Sequence, residues 1–126
     1  MNIPKSTYKS KKPTDDQIEA AYLYVRERDK YTCQICGDEF TGQLYSKITK
    51  DLIVNHVCGR FGWRIIEIDK MVSLCGDFTR NACHKTKFHD NTKKWRGIML
   101  DKIAANEARF ETENPIVRAE LLRRMK

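Results

Sequence analysis

The sequence predicts a small α+β domain stapled by a metal ion, and three observations carry that expectation. Cys33-x-x-Cys36 is answered by Cys75 and Cys83, helical periodicity occupies both ends of the chain, and short β-branched and aromatic segments punctuated by glycine fill the middle. Thiolates and imidazoles are preferred zinc ligands, and a Cys pair at each end of a long stretch pins distant segments together without a large core. Four of the five cysteines and all three histidines fall in this one ordered constellation. With 126 residues and 40% hydrophobic content, one small domain with little core is expected, so a structural metal supplies stability that burial alone does not.

Residues 1–13 carry Lys5, Lys9, Lys11 and Lys12 with no acid and no periodicity, and read as a flexible basic arm. Order is expected from there on, with a domain over 14–110 and a C-terminal helix over 111–126 packed on it or extending from it. Thr14 and Gln17 have capping-box spacing, Asp15 and Asp16 suit a helix N-terminus, and Ile18, Ala21, Tyr22 and Val25 recur on one helical face. That predicts a helix over 14–29, delivering the chain to a tight knuckle at Cys33–Gly37.

Leu52 to Val57 reads as one strand and Met71 to Leu74, approaching Cys75, as a second. Between them, Gly59-Arg60-Phe61-Gly62-Trp63-Arg64 reads as a loop with outward arginines. Trp95, Ile98, Met99 and Ile103 share a helical face, which predicts a helix from near Cys83 or Asn91 to about Arg109. Asn114 as cap and Pro115 in the first turn predict a last helix from Ile116 to Met125, apolar along Ile116, Ala119 and Leu122.

The net charge of +7 and a pI near 9.2 favour a polyanionic partner through phosphate neutralisation. Lys85, Lys87, Lys93 and Lys94 follow the last cysteine, and Arg60 and Arg64 stand in the loop, so DNA held by its phosphate backbone is the expected partner. An odd cysteine count, CxxC spacing and no long apolar run point to a reducing cytoplasm and no membrane span. Cys58, the fifth thiol, is expected to pack near the site without binding metal. His56 follows a hydrophobic strand, where an imidazole with an ordinary pKa of about 6.5 is suited to accept a proton from water. His84 is fused to Cys83, so a metal at Cys83 would aim it, and with Asn55 it frames a second, oxygen-rich metal site.

Arg28-Asp29-Lys30-Tyr31-Thr32-Cys33-Gln34-Ile35-Cys36-Gly37, then Asn55-His56, then Leu74-Cys75 and Cys83-His84-Lys85-Thr86-Lys87, resemble an HNH endonuclease of the zinc-stapled ββα-metal type, common in phages and mobile elements. The resemblance spans about residues 18–92. It implies a two-stranded hairpin and a helix gripping a catalytic ion beside a four-cysteine zinc knuckle, flanked by the N-terminal and C-terminal helices. It makes Cys33, Cys36, Cys75 and Cys83 the ligands of a structural Zn²⁺, His56 the general base and His84 a ligand of a catalytic Mg²⁺ or Mn²⁺, with Ni²⁺ or Zn²⁺ as alternatives. His89 lies near the position of one more ligand, but five residues after His84 where four is usual.

Two positions depart from the family. Asn55 stands where an acid or histidine usually binds the ion, and Lys70 stands where the middle asparagine would fall. Asp69, beside it, is a replacement that would orient His56 through a carboxylate–imidazole hydrogen bond. The implied activity is metal-dependent hydrolysis of DNA phosphodiesters, one strand per active site, by a monomer or homodimer. The second reading is a zinc-stabilised DNA-binding module that keeps this scaffold and does not cut.

Overall fold

The computed structural model describes residues 12–41, 50–59 and 66–126. The basic arm up to residue 11 and the loop holding Arg60 and Arg64 lie outside the described residues. Helix α1 is Asp15–Arg28, strand β1 is Leu52–His56, strand β2 is Met71–Cys75, helix α2 is Thr92–Glu113 and helix α3 is Pro115–Arg124. A 3-10 turn, Ile68–Lys70, leads into β2, and a five-residue π-helical turn, His84–Phe88, precedes α2.

The capping box expected at the start of α1 is present: Gln17 N–H donates to Thr14 Oγ1 at 3.2 Å, and Thr14 N–H donates to Gln17 Oε1 at 2.8 Å. The buried face of α1 is wider than the expected stripe. Ala20, Ala21, Tyr24 and Val25 are buried, whereas Ile18 and Tyr22 are only half-buried. The reason is that α1 lies between two layers. Ala21 and Val25 pack on Met71 of the hairpin, while Tyr24 packs on Phe110 of α2 and Leu121 of α3.

The two strands form an antiparallel hairpin, with Leu52 opposite Cys75 and His56 opposite Met71. This register carries Asn55 and His56 to the end of the hairpin where the strands are connected and Cys75 to the cysteine knuckle at the other. The main core is continuous with that knuckle: Leu52, Val72, Leu74, Phe88, Met99 and Ile103 cluster with Cys33, Cys75 and Cys83. Each fully buried side chain of this size contributes about 1.5–3 kcal/mol.

Both expected starts for the following helix mark real boundaries, because the π-helical turn begins at His84 and α2 begins after Asn91, whose side chain accepts from Lys94 N–H at 3.2 Å. Helix α2 runs on to Glu113, past the expected end near Arg109. Its buried face is Met99, Ile103, Asn106 and Phe110; Trp95 is half-buried and Ile98 is exposed. The polar Asn106 interrupts the apolar pattern that continues to Phe110.

The expected apolar face of the last helix is corrected. Leu121 is its buried residue, while Ile116 and Ala119 are exposed. Leu121 packs on Tyr24 and Phe110, and an ion pair accompanies this rotation: Arg118 Nε lies 3.2 Å from Glu107 Oε1, and Tyr24 Oη also bonds that carboxylate. Asn114 makes no side-chain cap, although Pro115 does occupy the first turn.

Candidate metal centre and adjoining cleft

Arg28 and Asp29, the first two residues of the motif before the knuckle, are both buried and paired, with Arg28 Nε 3.0 Å from Asp29 Oδ1. Arg28 also donates to the carbonyl oxygens of Ile68 and Met71, while Asp29 accepts from Ser73 N–H at 2.8 Å and Asn106 Nδ2 at 3.0 Å. Every charge-bearing atom named here therefore has a partner, which is what burying an ion pair requires. The pair locks the end of α1 against β2 and α2. Lys30 and Tyr31 follow in left-handed backbone, φ 56° and 53°, and turn the chain into the knuckle.

In the knuckle, Cys33 N–H donates to Asp38 O and Gly37 N–H to Cys33 O, both at 2.9 Å, and Gly37 takes φ 81°. Gln34 N–H donates to Ser73 O at 3.0 Å and docks the knuckle on β2. The seven residues between Cys75 and Cys83 form a folded turn rather than a long gap. Thr79 Oγ1 donates to Gly76 O at 2.7 Å and accepts from Ala82 N–H at 3.2 Å, and Ala82 is left-handed at φ 43°. A Cβ on Gly76 would stand 2.7 Å from Lys50 O, so this corner has room only for glycine.

The Sγ atoms of Cys33, Cys36, Cys75 and Cys83 all lie within 4.8 Å of one another. Tetrahedral bonds of about 2.3 Å place sulfur atoms about 3.8 Å apart, and Cys36 Sγ and Cys75 Sγ are separated by 3.8 Å. The four cysteines are free thiols, three buried and Cys36 exposed. Burial pushes Cys33 up to about 11 and raises Cys83 further. Burial also acts to raise Cys75, but the Cys83 N–H and the Thr79 hydroxyl outweigh it and leave Cys75 lowered. Four sulfurs crowded where thiolate charge is this costly fit a divalent metal such as zinc, whose charge offsets the repulsion. Cys58 is outside the quartet and packs half-buried against the core.

Asn55, His56, Gly59, His84 and His89 line a cleft of about 410 Å³. His84 immediately follows Cys83, so the fourth sulfur and the first cleft histidine share one stretch of backbone. The five-residue spacing of the two histidines is taken up by the π-helical turn: His89 N–H donates to His84 O at 3.1 Å. Their Nε2 atoms stand 2.9 Å apart and their rings cross at 80°. Two ligands at right angles on an octahedral ion, each with a bond of about 2.1 Å, stand about 3.0 Å apart.

His84 Nδ1 is 3.1 Å from Asp77 Oδ1. A carboxylate there accepts Nδ1–H and directs the Nε2 lone pair into the cleft, the usual outer partner of a metal-binding histidine. Asn55 is 5% exposed and its Nδ2 has no hydrogen-bond partner. A buried orphan amide calls for a reason; turning the amide over exchanges Nδ2 for Oδ1, a competent ligand for a divalent ion. Asn55, His84 and His89 thus fit a cation. His56, 9% exposed, rests edge-on against Tyr22 with centroids 5.8 Å apart.

Asp69 does not join this group. It is exposed on the 3-10 turn and does not line the cleft, and the adjacent Lys70 pairs with Glu67 at 3.0 Å. Lys85, Lys87 and Lys93 are exposed, and no ion pair engages them among the described residues. Lys94 Nζ lies 4.9 Å from the Trp95 ring centroid. Asp77 went unread in the sequence; its position between Cys75 and Cys83 was the available signal.

No family model, curated protein or solved structure matches the chain. Among the described residues no helix is long and apolar enough to cross a membrane.

Proposed function

We infer that the chain is a metal-dependent endonuclease of the HNH kind, with a structural Zn²⁺ on Cys33, Cys36, Cys75 and Cys83 and DNA as substrate. The observation that carries this reading is the convergence of Asn55, His56, His84 and His89 on one cleft beside the four sulfurs. His56 takes a proton from the attacking water. Asn55, His84 and His89 would hold a divalent cation, Mg²⁺ or Mn²⁺ in the first instance. Such an ion supplies charge neutralisation at the phosphate and at the departing oxygen. Lys85, Lys87, Lys93 and Lys94 hold the backbone on either side, and one base serves one strand, so the product is a nick.

Plasmid relaxation tests this. Supplied with Mg²⁺ or Mn²⁺, the zinc-loaded protein is expected to convert supercoiled to open-circular DNA, and His56→Ala is expected to abolish the conversion. An undiminished rate in that variant rejects the mechanism. The second reading, DNA binding without cleavage, is favoured by the neutral Asn55 and by Asp69 standing away from the cleft; it expects intact plasmid with every divalent metal.

A further inference from the structure

The π-helical turn has two working sides. His84 and His89 line the cleft, while Thr86 and Lys87 line a separate groove of about 500 Å³ together with Ile35, Arg80, Asn81, Trp95 and two of the clustered cysteines, Cys36 and Cys83. That volume falls in the range of small-ligand sites, roughly 300–1,000 Å³. No acidic side chain lines it.

Ion pairing is denser on the side of α3 than on this face, although Arg124 of α3 is also exposed and outside any ion pair among the described residues. On the side of α3, Lys30 and Arg109 pair with Glu113, Arg118 with Glu107, and Arg123 with Glu120. Arg80 and Lys87 are exposed, and among the described residues no ion pair engages either. The polar neutral groups of the groove are already used inward. Thr86 Oγ1 bonds Asn81 O at 2.9 Å and Ala82 O at 3.0 Å, and Asn81 Nδ2 donates to Asp38 Oδ2 at 2.9 Å. The Cys36 and Cys83 sulfurs belong to the quartet, where a bound metal would offset their charge, and what remains for a ligand is an indole, an aliphatic flank and two cations. That combination recognises a π-face joined to a phosphate, with little capacity to read base edges. A duplex backbone offers phosphates but no exposed π-face.

The geometry points to a second nucleic-acid subsite: the groove takes an unpaired nucleotide, its base stacked on Trp95 and its phosphates against Arg80 and Lys87. This deepens the nuclease reading and rests on it for the identity of the strand in the neighbouring cleft. The substrate class it names is single-stranded or locally melted DNA, without sequence preference at this position. The Lys94 ammonium against Trp95 is a weak exposed contact that a stacked base replaces.

The test is a fluorescence titration of the zinc-loaded full chain carrying His56→Ala and Trp63→Phe, which leaves Trp95 as the single tryptophan. Oligothymidylate is expected to quench Trp95 and to bind at least tenfold more tightly than a blunt duplex of equal length. Arg80→Ala with Lys87→Ala is expected to weaken binding and to flatten the dependence of log K on log salt by about 1.4, two phosphate contacts at about 0.7 each for single strands. Photocrosslinking of the unsubstituted chain to an iodouracil oligonucleotide gives an independent readout, with the adduct expected on the peptide holding Trp95. No quench together with no adduct there, equal affinity for duplex, or an unchanged salt slope overturns the subsite. Quenching in this variant, with no nicking by the unsubstituted chain, keeps the groove and rejects the nuclease; nicking by the unsubstituted chain with a silent Trp95 in the variant does the reverse.

Discussion

His84 and His89 bring their Nε2 atoms to 2.9 Å because one π-helical turn takes up the residue that would otherwise set them on diverging faces. An α-helical segment aligns positions three or four apart; here the i to i+5 bond from His89 N–H to His84 O aligns positions five apart. Asp77 then holds the first ring from behind at 3.1 Å. Under the proposed function, a divalent ion would complete the set formed by the two histidines, the Asn55 amide whose Nδ2 lacks a partner, and the carboxylate behind them.

Asp77 is therefore expected to act through His84 on metal affinity. Loss of such an outer partner typically costs 10–100-fold in metal affinity, so Asp77→Ala should weaken Mn²⁺ or Ni²⁺ binding to the cleft by roughly that factor in calorimetry on the zinc-loaded protein. Its side chain is 46% exposed, so thermal stability and zinc content should change little. An equal loss of zinc, or unchanged affinity, would show that Asp77 only shapes the turn.

The cysteine quartet predicts opposite pH responses with and without metal. In the metal-free fold, burial raises Cys33 from 9.0 to about 11 and raises Cys83 in the same sense, so these two groups favour the fold below their ordinary range and lose that contribution as pH rises through the raised values. Cys75 is shifted the other way and opposes them in part. With zinc bound the ligands are thiolates, and protons compete with the metal, so stability is lost as pH falls. Thermal melts across pH should show the zinc form weakening toward acid with release of metal, and the chelated form weakening toward alkali. Free zinc at a thousandfold over its dissociation constant should contribute about 4 kcal/mol.

The cysteine quartet was legible because cysteine announces its chemistry by type and spacing, and the hairpin was legible because Leu52–Val54 and Met71–Leu74 favour extended backbone. What lay beyond the sequence was decided by tertiary partners. Asp77 meets His84 only when the Thr79 turn folds Cys83 back toward Cys75. The π-helical turn leaves no composition signal at all. Nothing in the types of Arg28 and Asp29 tells that both are buried, because Met71, Ser73 and Asn106 supply the polar partners from distant positions. Asp69 looked like a support for His56 by sequence proximity to the missing asparagine, yet the 3-10 turn leaves it exposed.

The C-terminal helix offers the sharpest stability contrast, since periodicity favoured Ile116 and the structure buries Leu121. Leu121 is 4% exposed and packs with Tyr24 and Phe110, whose rings meet edge to face at 5.1 Å, whereas Ile116 is 83% exposed. Truncating a buried leucine removes its transfer free energy and leaves a cavity, about 2–5 kcal/mol together. Leu121→Ala should therefore lower the unfolding free energy measured by denaturant titration by an amount within that range, while Ile116→Ala should stay within about 0.5 kcal/mol of the parent. Neither residue touches the sulfur quartet or the cleft, so bound zinc per folded chain should be the same in both. Equal losses at the two positions would mean that Ile116 is covered by something other than solvent, and the rotation that buries Leu121 would have to be abandoned.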